Sequence, residues 1–277
     1  MINILLCGNR GVFDGMLSLL LSLLKRGNCT EGIALHVFTM DLSDIDGKYI
    51  PLTQEHAELL SEVMREHRVR GEVALQDVTE LYNEHFRGCP NEGAYCSPYT
   101  LIRLLADLVP SMPEKLLYLD CDLLFNRDVT LLYSKDVSEV DYAAARDRYG
   151  KLLVSPNYIN AGVLLLNLKK IKTDGLFARA RDILKKRRLT FADQSALIRA
   201  RGERIILPQR FNQQKRLTDD TVVFHFSKRL VWLPYPHTVN IKQWHVSAVH
   251  RVLKCYGFDD VLYEYLYYKE AFERKNG

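Results

Sequence analysis

No stretch of the chain approaches the roughly 20 consecutive apolar residues that a membrane-spanning helix needs. The longest leucine-rich run, 16–24, is interrupted by Ser18 and Ser22 and closes on Lys25-Arg26. The opening Met1-Ile2-Asn3-Ile4 lacks the basic leader region of a secretory signal peptide. A soluble protein is the expectation. Cysteine is sparse and scattered: Cys7, Cys29, Cys89, Cys96, Cys121 and Cys255 contain no CxxC pair. That pattern argues against a disulfide framework or a zinc site, and for reduced thiols in a cytosol-like compartment. Internal repeats, low-complexity linkers and a GxGxxG fingerprint are also missing, and Gly8-Asn9-Arg10-Gly11 reads as a plain turn. With no recognised module and no aromatic-interleaved basic stripe, nucleic acid is not the expected partner.

What is present suits one large folding unit. The 277 residues are 47% hydrophobic and 26% charged, the balance of a globular protein with ample core. The net charge of +4 hides an asymmetry. Residues 1–140 carry 12 Lys and Arg against 21 Asp and Glu, and the remainder carries 26 against 13. A basic second half can face a nucleotide, an anionic surface or a phosphorylated acceptor. Its densest run, Lys185-Lys186-Arg187-Arg188, is as readily a solvated helix end favoured by the macrodipole.

Strand and helix signals alternate along the first half. Residues 2–7, 35–39 and 72–76 read as strands, and a leucine-rich helix extends to about residue 25. Thr53 caps a second helix to about residue 67. Residues 97–108 read as a third helix, with Leu101, Leu104, Leu105 and Leu108 on one stripe and Pro110 and Pro113 closing it. Beyond it, 116–122, 142–145, 160–168, 204–207 and 221–226 are strand candidates, and 174–188 and 192–199 are helices. This order predicts an α/β fold with a largely parallel sheet, whose ligands bind at the carboxyl ends of the strands. The tyrosine-rich tail reads as helical, so a domain over 1–240 with a helical appendage over 241–277 is expected.

The most telling segment is Leu117-Tyr118-Leu119-Asp120-Cys121-Asp122. Residues two apart on a strand point the same way, so both carboxylates can face one point at the sheet edge. Like charges beside an apolar strand are costly unless a cation or proton joins them. A divalent metal carrying a phosphorylated ligand answers that demand. A solvated turn with two acids is the plainer alternative.

Three ordered blocks extend the reading: this acidic motif, then Asn160-Ala161-Gly162-Val163-Leu164-Leu165-Leu166-Asn167-Leu168, then Asp193-Gln194. Together they resemble glycosyltransferase family 8, from residue 2 to about 232. The resemblance implies a GT-A-type fold, Rossmann-like with a mixed sheet flanked by helices. It also implies a hexosyltransferase that moves glucose or galactose from a UDP-sugar, with retention, to a glycan or lipopolysaccharide-type acceptor. The implied cofactor is Mn2+, with Mg2+ the alternative, held by Asp120, Asp122 and His225. Arg103 matches the arginine before the acidic motif, and Lys228, three residues past His225, matches a lysine on the diphosphate. Cys7, Gly8, Asn9, Cys121, Asn160, Ala161 and Gly162 match nucleotide-sugar-binding positions. Asp147, Asp193 and Gln194 match the reaction centre, and an amide such as Gln194 is a poor nucleophile, which suits a front-face displacement.

The chain departs from the family pattern in places. Cys7-Gly8-Asn9-Arg10 replaces an alanine and an acidic residue, Ser195 stands where an aspartate is common, and 227–232 compress a GxxKPW segment. A haloacid-dehalogenase-type phosphatase is a poorer fit, because its acidic motif follows the first strand. A non-catalytic nucleotide-sugar-binding protein of the same fold is the other reading. The tyrosine-rich tail either lies on a membrane bearing a lipid-linked glycan or packs onto the domain. The expected location is cytoplasmic, with peripheral contact at the inner membrane face.

Overall fold

The computed structural model describes residues 1–93, 97–231, 235 and 237–276. Its strands are β1 (Ile2–Cys7), β2 (Ile33–Thr39), β3 (Gly71–Asp77), β4 (Lys115–Leu119), β5 (Leu123–Phe125), β6 (Tyr142–Arg146), β7 (Ile159–Asn167), β8 (Arg204–Leu207), β9 (Val223–His225), β10 (Arg229–Val231) and β11 (His237–Val239). Its helices are α1 (Phe13–Arg26), α2 (Gln54–Glu66), α3 (Thr79–His85), α4 (Thr130–Tyr133), α5 (Gly150–Leu153), α6 (Leu168–Asp174), α7 (Leu176–Lys186), α8 (Ala192–Arg199), α9 (Val246–Arg251) and α10 (Asp259–Asn276).

Seven strands form one sheet in the order β3-β2-β1-β4-β7-β6-β8. β1, β2, β3 and β4 run parallel, while β7 is antiparallel to both its neighbours, β4 and β6. The sheet is therefore mixed. Alternate residues of β1 feed two cores: Ile2, Ile4 and Leu6 pack with α1 and α2, and Leu5 and Cys7 pack with Tyr82, Tyr99 and Leu105. Burial on both faces explains why this strand is an unbroken apolar run.

α1 is enclosed in the same way. Its serines bond back to their own helix, Ser18 Oγ to Gly15 O at 3.1 Å and Ser22 Oγ to Leu19 O at 2.6 Å. Ser22 Oγ also accepts from Phe125 N at 2.9 Å, which pins β5 to the helix. The expected cap at Thr53 forms, with His56 Nδ1 accepting from Thr53 N at 3.2 Å.

Two helix expectations need correction. The 97–108 stretch is not an α-helix but two 3-10 turns, Pro98–Thr100 and Ile102–Leu105. The Thr100 carbonyl, which an α-helix would give to Leu104 N, instead accepts from Arg103 Nε at 2.9 Å. The helix expected over 174–188 begins earlier and breaks at Gly175, whose φ of +68° belongs to the left-handed region that glycine tolerates. The tail, expected to be helical, consists of two helices, α9 and α10.

Phe258, Val261, Leu262 and Tyr265 of the tail are buried in the same core as α1. Lys269 Nζ meets Asp14 at 2.6 Å, and His67 Nε2 meets Glu264 at 2.7 Å. Tyr256, Tyr263 and Tyr267 remain exposed. Among the described residues no helix is long and apolar enough to cross a membrane. The five described cysteines are free thiols, and Cys96 lies outside the described residues.

Candidate active site

β4 delivers Asp120 to its carboxyl end, and the chain turns through Cys121 and Asp122 into β5. β5 pairs antiparallel with β9, which places His225 opposite Leu123. As a result, ligand atoms of Asp120, Asp122 and His225 all lie within 4.8 Å of one another. Gly162 closes the site from β7. A Cβ there would sit 2.6 Å from His225 Cε1 and 2.7 Å from Asp120 Oδ2, so the cluster depends on that residue having no side chain. Two carboxylates and an imidazole form a donor set that could hold a divalent ion, and the crowding around one point fits a single one.

Arg103 is the hub behind the cluster, and only 3% of it is exposed. Its Nη2 donates to Asp120 Oδ1 at 3.0 Å, and its Nη1 donates to Ala161 O at 2.6 Å. Nε also lies 3.4 Å from Asp193 Oδ2, and the guanidinium stacks 4.0 Å from the Tyr118 ring centre. Burial opposes the charge, but Tyr118, Asp193 and Asp120 outweigh it and push the arginine pKa up. Tyr118 OH completes the set by donating to Asp120 Oδ1 at 2.6 Å.

The three sequence blocks meet here through the backbone. Asp120 N donates to Gly162 O at 2.8 Å, and Ala161 N donates to Gln194 Oε1 at 3.1 Å. Asp193 and Gln194 open α8 and are buried, Asp193 beside Arg103. Burial holds the Asp193 carboxyl above its usual range, reinforced by Asp120 and opposed by Arg103. Asn160 Nδ2 donates to Asp147 Oδ2 at 2.8 Å, and Asp147 Oδ1 accepts from Tyr149 N at 3.0 Å and Gly150 N at 2.6 Å.

Asp122 lies between a histidine and a lysine. His225 Nε2 lies 3.0 Å from its Oδ1, and Lys242 Nζ donates to its Oδ2 and, at 3.2 Å, to Phe226 O. Burial raises the Asp122 pKa, but Lys242 and His225 overcome that and hold it well below the usual carboxylate range. Gln243 Nε2 donates to Cys121 O at 2.8 Å, which clamps the middle of the acidic turn.

An open pocket leads from this cluster, lined by Cys7, Gly8, Asn9, Tyr99, Arg103, Tyr118, Asp120, Cys121, Asp122, Lys242 and Trp244 among others. Arg10 turns away, its Nε donating to Pro51 O at 3.1 Å. Lys228 is exposed and does not line the pocket, and Trp232 lies outside the described residues. The lysine at the acidic motif is Lys242, which sequence reasoning missed. The ribbon of β10 and β11 separates it from His225, so a search for a lysine close behind the histidine finds Lys228 first. The signal that was available is Lys242-Gln243-Trp244, a Lys-x-Trp at the far side of that ribbon.

A mixed sheet with an acidic turn at the end of β4 and an antiparallel β7 beside it defines a GT-A-type glycosyltransferase fold. A galactosyltransferase, LgtC, solved with donor and acceptor sugar analogues, superposes with a TM-score of 0.69 at 20% identity over 94% of both chains. GlyE of Streptococcus pneumoniae superposes with a TM-score of 0.63 at 19% identity, over 99% of this chain and 65% of that one. The chain belongs to Glycosyl transferase family 8, whose sequence pattern matches residues 3–245. Among curated relatives, the glycosyltransferase GlyA of Streptococcus pneumoniae is 34% identical over 95 residues, 34% of this chain. A putative glycosyltransferase of Haemophilus influenzae is 30% identical over 105 residues. The matched stretches span only 13% and 32% of those two proteins.

Proposed function

We propose that the chain transfers a hexose, glucose or galactose, from a UDP-sugar to a glycan acceptor in a Mn2+-dependent, retaining reaction. The observation that carries this reading is the convergence of Asp120, Asp122 and His225 on one point beside the pocket. A divalent ion held by those three residues supplies Lewis acidity to the oxygens of a departing diphosphate. The ammonium of Lys242 is poised to share that charge once a diphosphate draws it from Asp122. Arg103 keeps Asp120 and Asp193 oriented, and its burial means it does so without rearranging. Asp193, Gln194 and Asp147 are assigned to the donor sugar. Gln194 is an amide and Asp193 is tied to Arg103, so neither is a free nucleophile, which favours a front-face displacement over a covalent glycosyl-enzyme.

The acceptor is assigned to a glycan, with the exposed Tyr256, Tyr263 and Tyr267 of the tail as the peripheral contact for a membrane-borne one. Salt-sensitive pelleting with anionic vesicles, lost on mutating these tyrosines, is the expected result; no pelleting removes the membrane from the account.

Hydrolysis of UDP-glucose and UDP-galactose tests the catalytic reading. Slow turnover that needs Mn2+, stops with chelator and disappears in Asp122→Ala is expected. Equal turnover by that variant overturns the reading.

A further inference from the structure

Asn212 is entirely buried and follows the 3-10 turn Gln209–Phe211. Its Oδ1 lies 2.9 Å from His225 Nδ1, and its Nδ2 lies 2.8 Å from Asn160 Oδ1. Neither end of an amide is identified by geometry alone, so the orientation has to come from the network around it. Here it does. Gly162 N can only donate, so the group of Asn160 facing it is the carbonyl oxygen, and its NH2 faces Asp147 Oδ2 at 2.8 Å. That oxygen, Oδ1, accepts from Gly162 N at 3.0 Å, and a flipped amide would oppose two donors there. The same oxygen faces Asn212, which must present its NH2 there and its carbonyl oxygen to His225. The proton on His225 is therefore held at Nδ1. The nitrogen left to bind a metal is Nε2, the one that faces Asp122 at 3.0 Å.

We infer that Asn212 is a positioning residue that commits His225 to ligation through Nε2, and that Asp147 and Asn160 act on the metal centre through it. The inference rests on the metal reading above. Partners that hold the second nitrogen of a ligating histidine typically contribute about 10–100-fold to metal affinity. The backbone supports the same contact, since His225 N donates to Gln213 O at 2.9 Å and ties the strand to the residue beside Asn212.

The test is Mn2+ binding to the full chain, followed by the paramagnetic resonance signal of free Mn2+, with and without UDP. Asn212→Leu removes the acceptor, and about 10–100-fold weaker Mn2+ binding is expected. Asn212→Asp keeps an acceptor for Nδ1–H, so it should bind Mn2+ more tightly than Asn212→Leu. Thermal denaturation run alongside should rank the two the other way, because the aspartate buries a charge. A purely structural role predicts the same rank order in both measurements. Asn212→Val replaces the leucine variant if that one does not fold. Mn2+ affinity within about threefold of wild type in the leucine or valine variant, or no recovery in the aspartate variant, overturns the inference. His225→Ala separates the two levels. If it leaves Mn2+ binding unchanged, the metal reading fails; if it weakens binding while Asn212→Leu does not, only the Asn212 inference fails.

Discussion

The two ends of the pocket are built on opposite principles. At the charged end, Asp120, Asp122, Asp193, Arg103, His225 and Lys242 form a web in which each charge has an opposite or ionisable partner within hydrogen-bonding reach. At the other end, Cys7, Gly8, Asn9, Val12 and Tyr99 bring no formal charge. There the polar groups are spent on the chain itself: Asn9 Nδ2 donates to Lys48 O at 3.0 Å and Tyr99 OH to Met40 O at 2.6 Å. Burial pushes the Cys7 thiol up, so it stays protonated and acts as a small apolar group. One end is defined by charge and the other by shape. We propose that the chemistry belongs to the first and the choice of nucleobase to the second.

The largest expected effects lie at the charged end. Lys242→Met should lower kcat with a UDP-hexose by roughly 10²–10³-fold, the usual cost of removing one donor aimed at developing charge. Lys228→Met should cost less than Lys242→Met, because Lys228 is exposed and does not line the pocket. Steady-state kinetics of the two variants decide which lysine serves the diphosphate. Equal losses would erase the distinction drawn here between them.

Next comes stability. Arg103→Met leaves Asp120 and Asp193 without their shared cation, and about 3–5 kcal/mol of destabilisation is expected, the cost of breaking a buried ion pair. Denaturant titration of the metal-free protein measures it. A loss below about 1 kcal/mol would mean the web is solvated like a surface pair.

The acid limb of the stability curve sharpens the contrast further. The Asp122 pKa is depressed in the folded state relative to an unfolded value of about 3.9. Its contribution is therefore complete above that pH and is lost as pH falls through the folded value. In the metal-free protein, Asp122→Asn should flatten the acid limb below about pH 4, while Asn9→Ala should leave its slope unchanged. Thermal melts across that range compare them.

The smallest effects belong to the neutral end. Asn9→Ala and Tyr99→Phe should raise KM for the donor a few-fold, with kcat nearly unchanged, as expected when only uniform binding is lost. A fall in kcat matching that of Lys242→Met would show that this end takes part in the chemistry.

The same contrast governs what could be read from sequence. Asp120 and Asp122 were legible as two acids closing an apolar run, but the strand expected over 116–122 ends at Leu119, and a turn into β5, not strand alternation, brings both carboxylates to one point. The Asn160–Gly162 entrance and the Asp193-Gln194 helix start were legible as ordered blocks, and they do meet at Ala161. Lys242 was not, because β10 and β11 intervene, and Asn212 was not, because a lone amide in a loop carries no pattern. The 3-10 turns at 98–105 were read as an α-helix because leucine spacing cannot reveal that Arg103 captures the Thr100 carbonyl. The antiparallel run of β7 was likewise hidden, since a buried strand looks the same in either direction.

The most direct test of the central claim, that a metal at Asp120, Asp122 and His225 anchors a nucleotide diphosphate, is calorimetric titration of UDP with and without Mn2+. The account predicts UDP binding that requires Mn2+ and vanishes in Asp122→Ala. UDP binding of equal strength without metal, or in that variant, would contradict it.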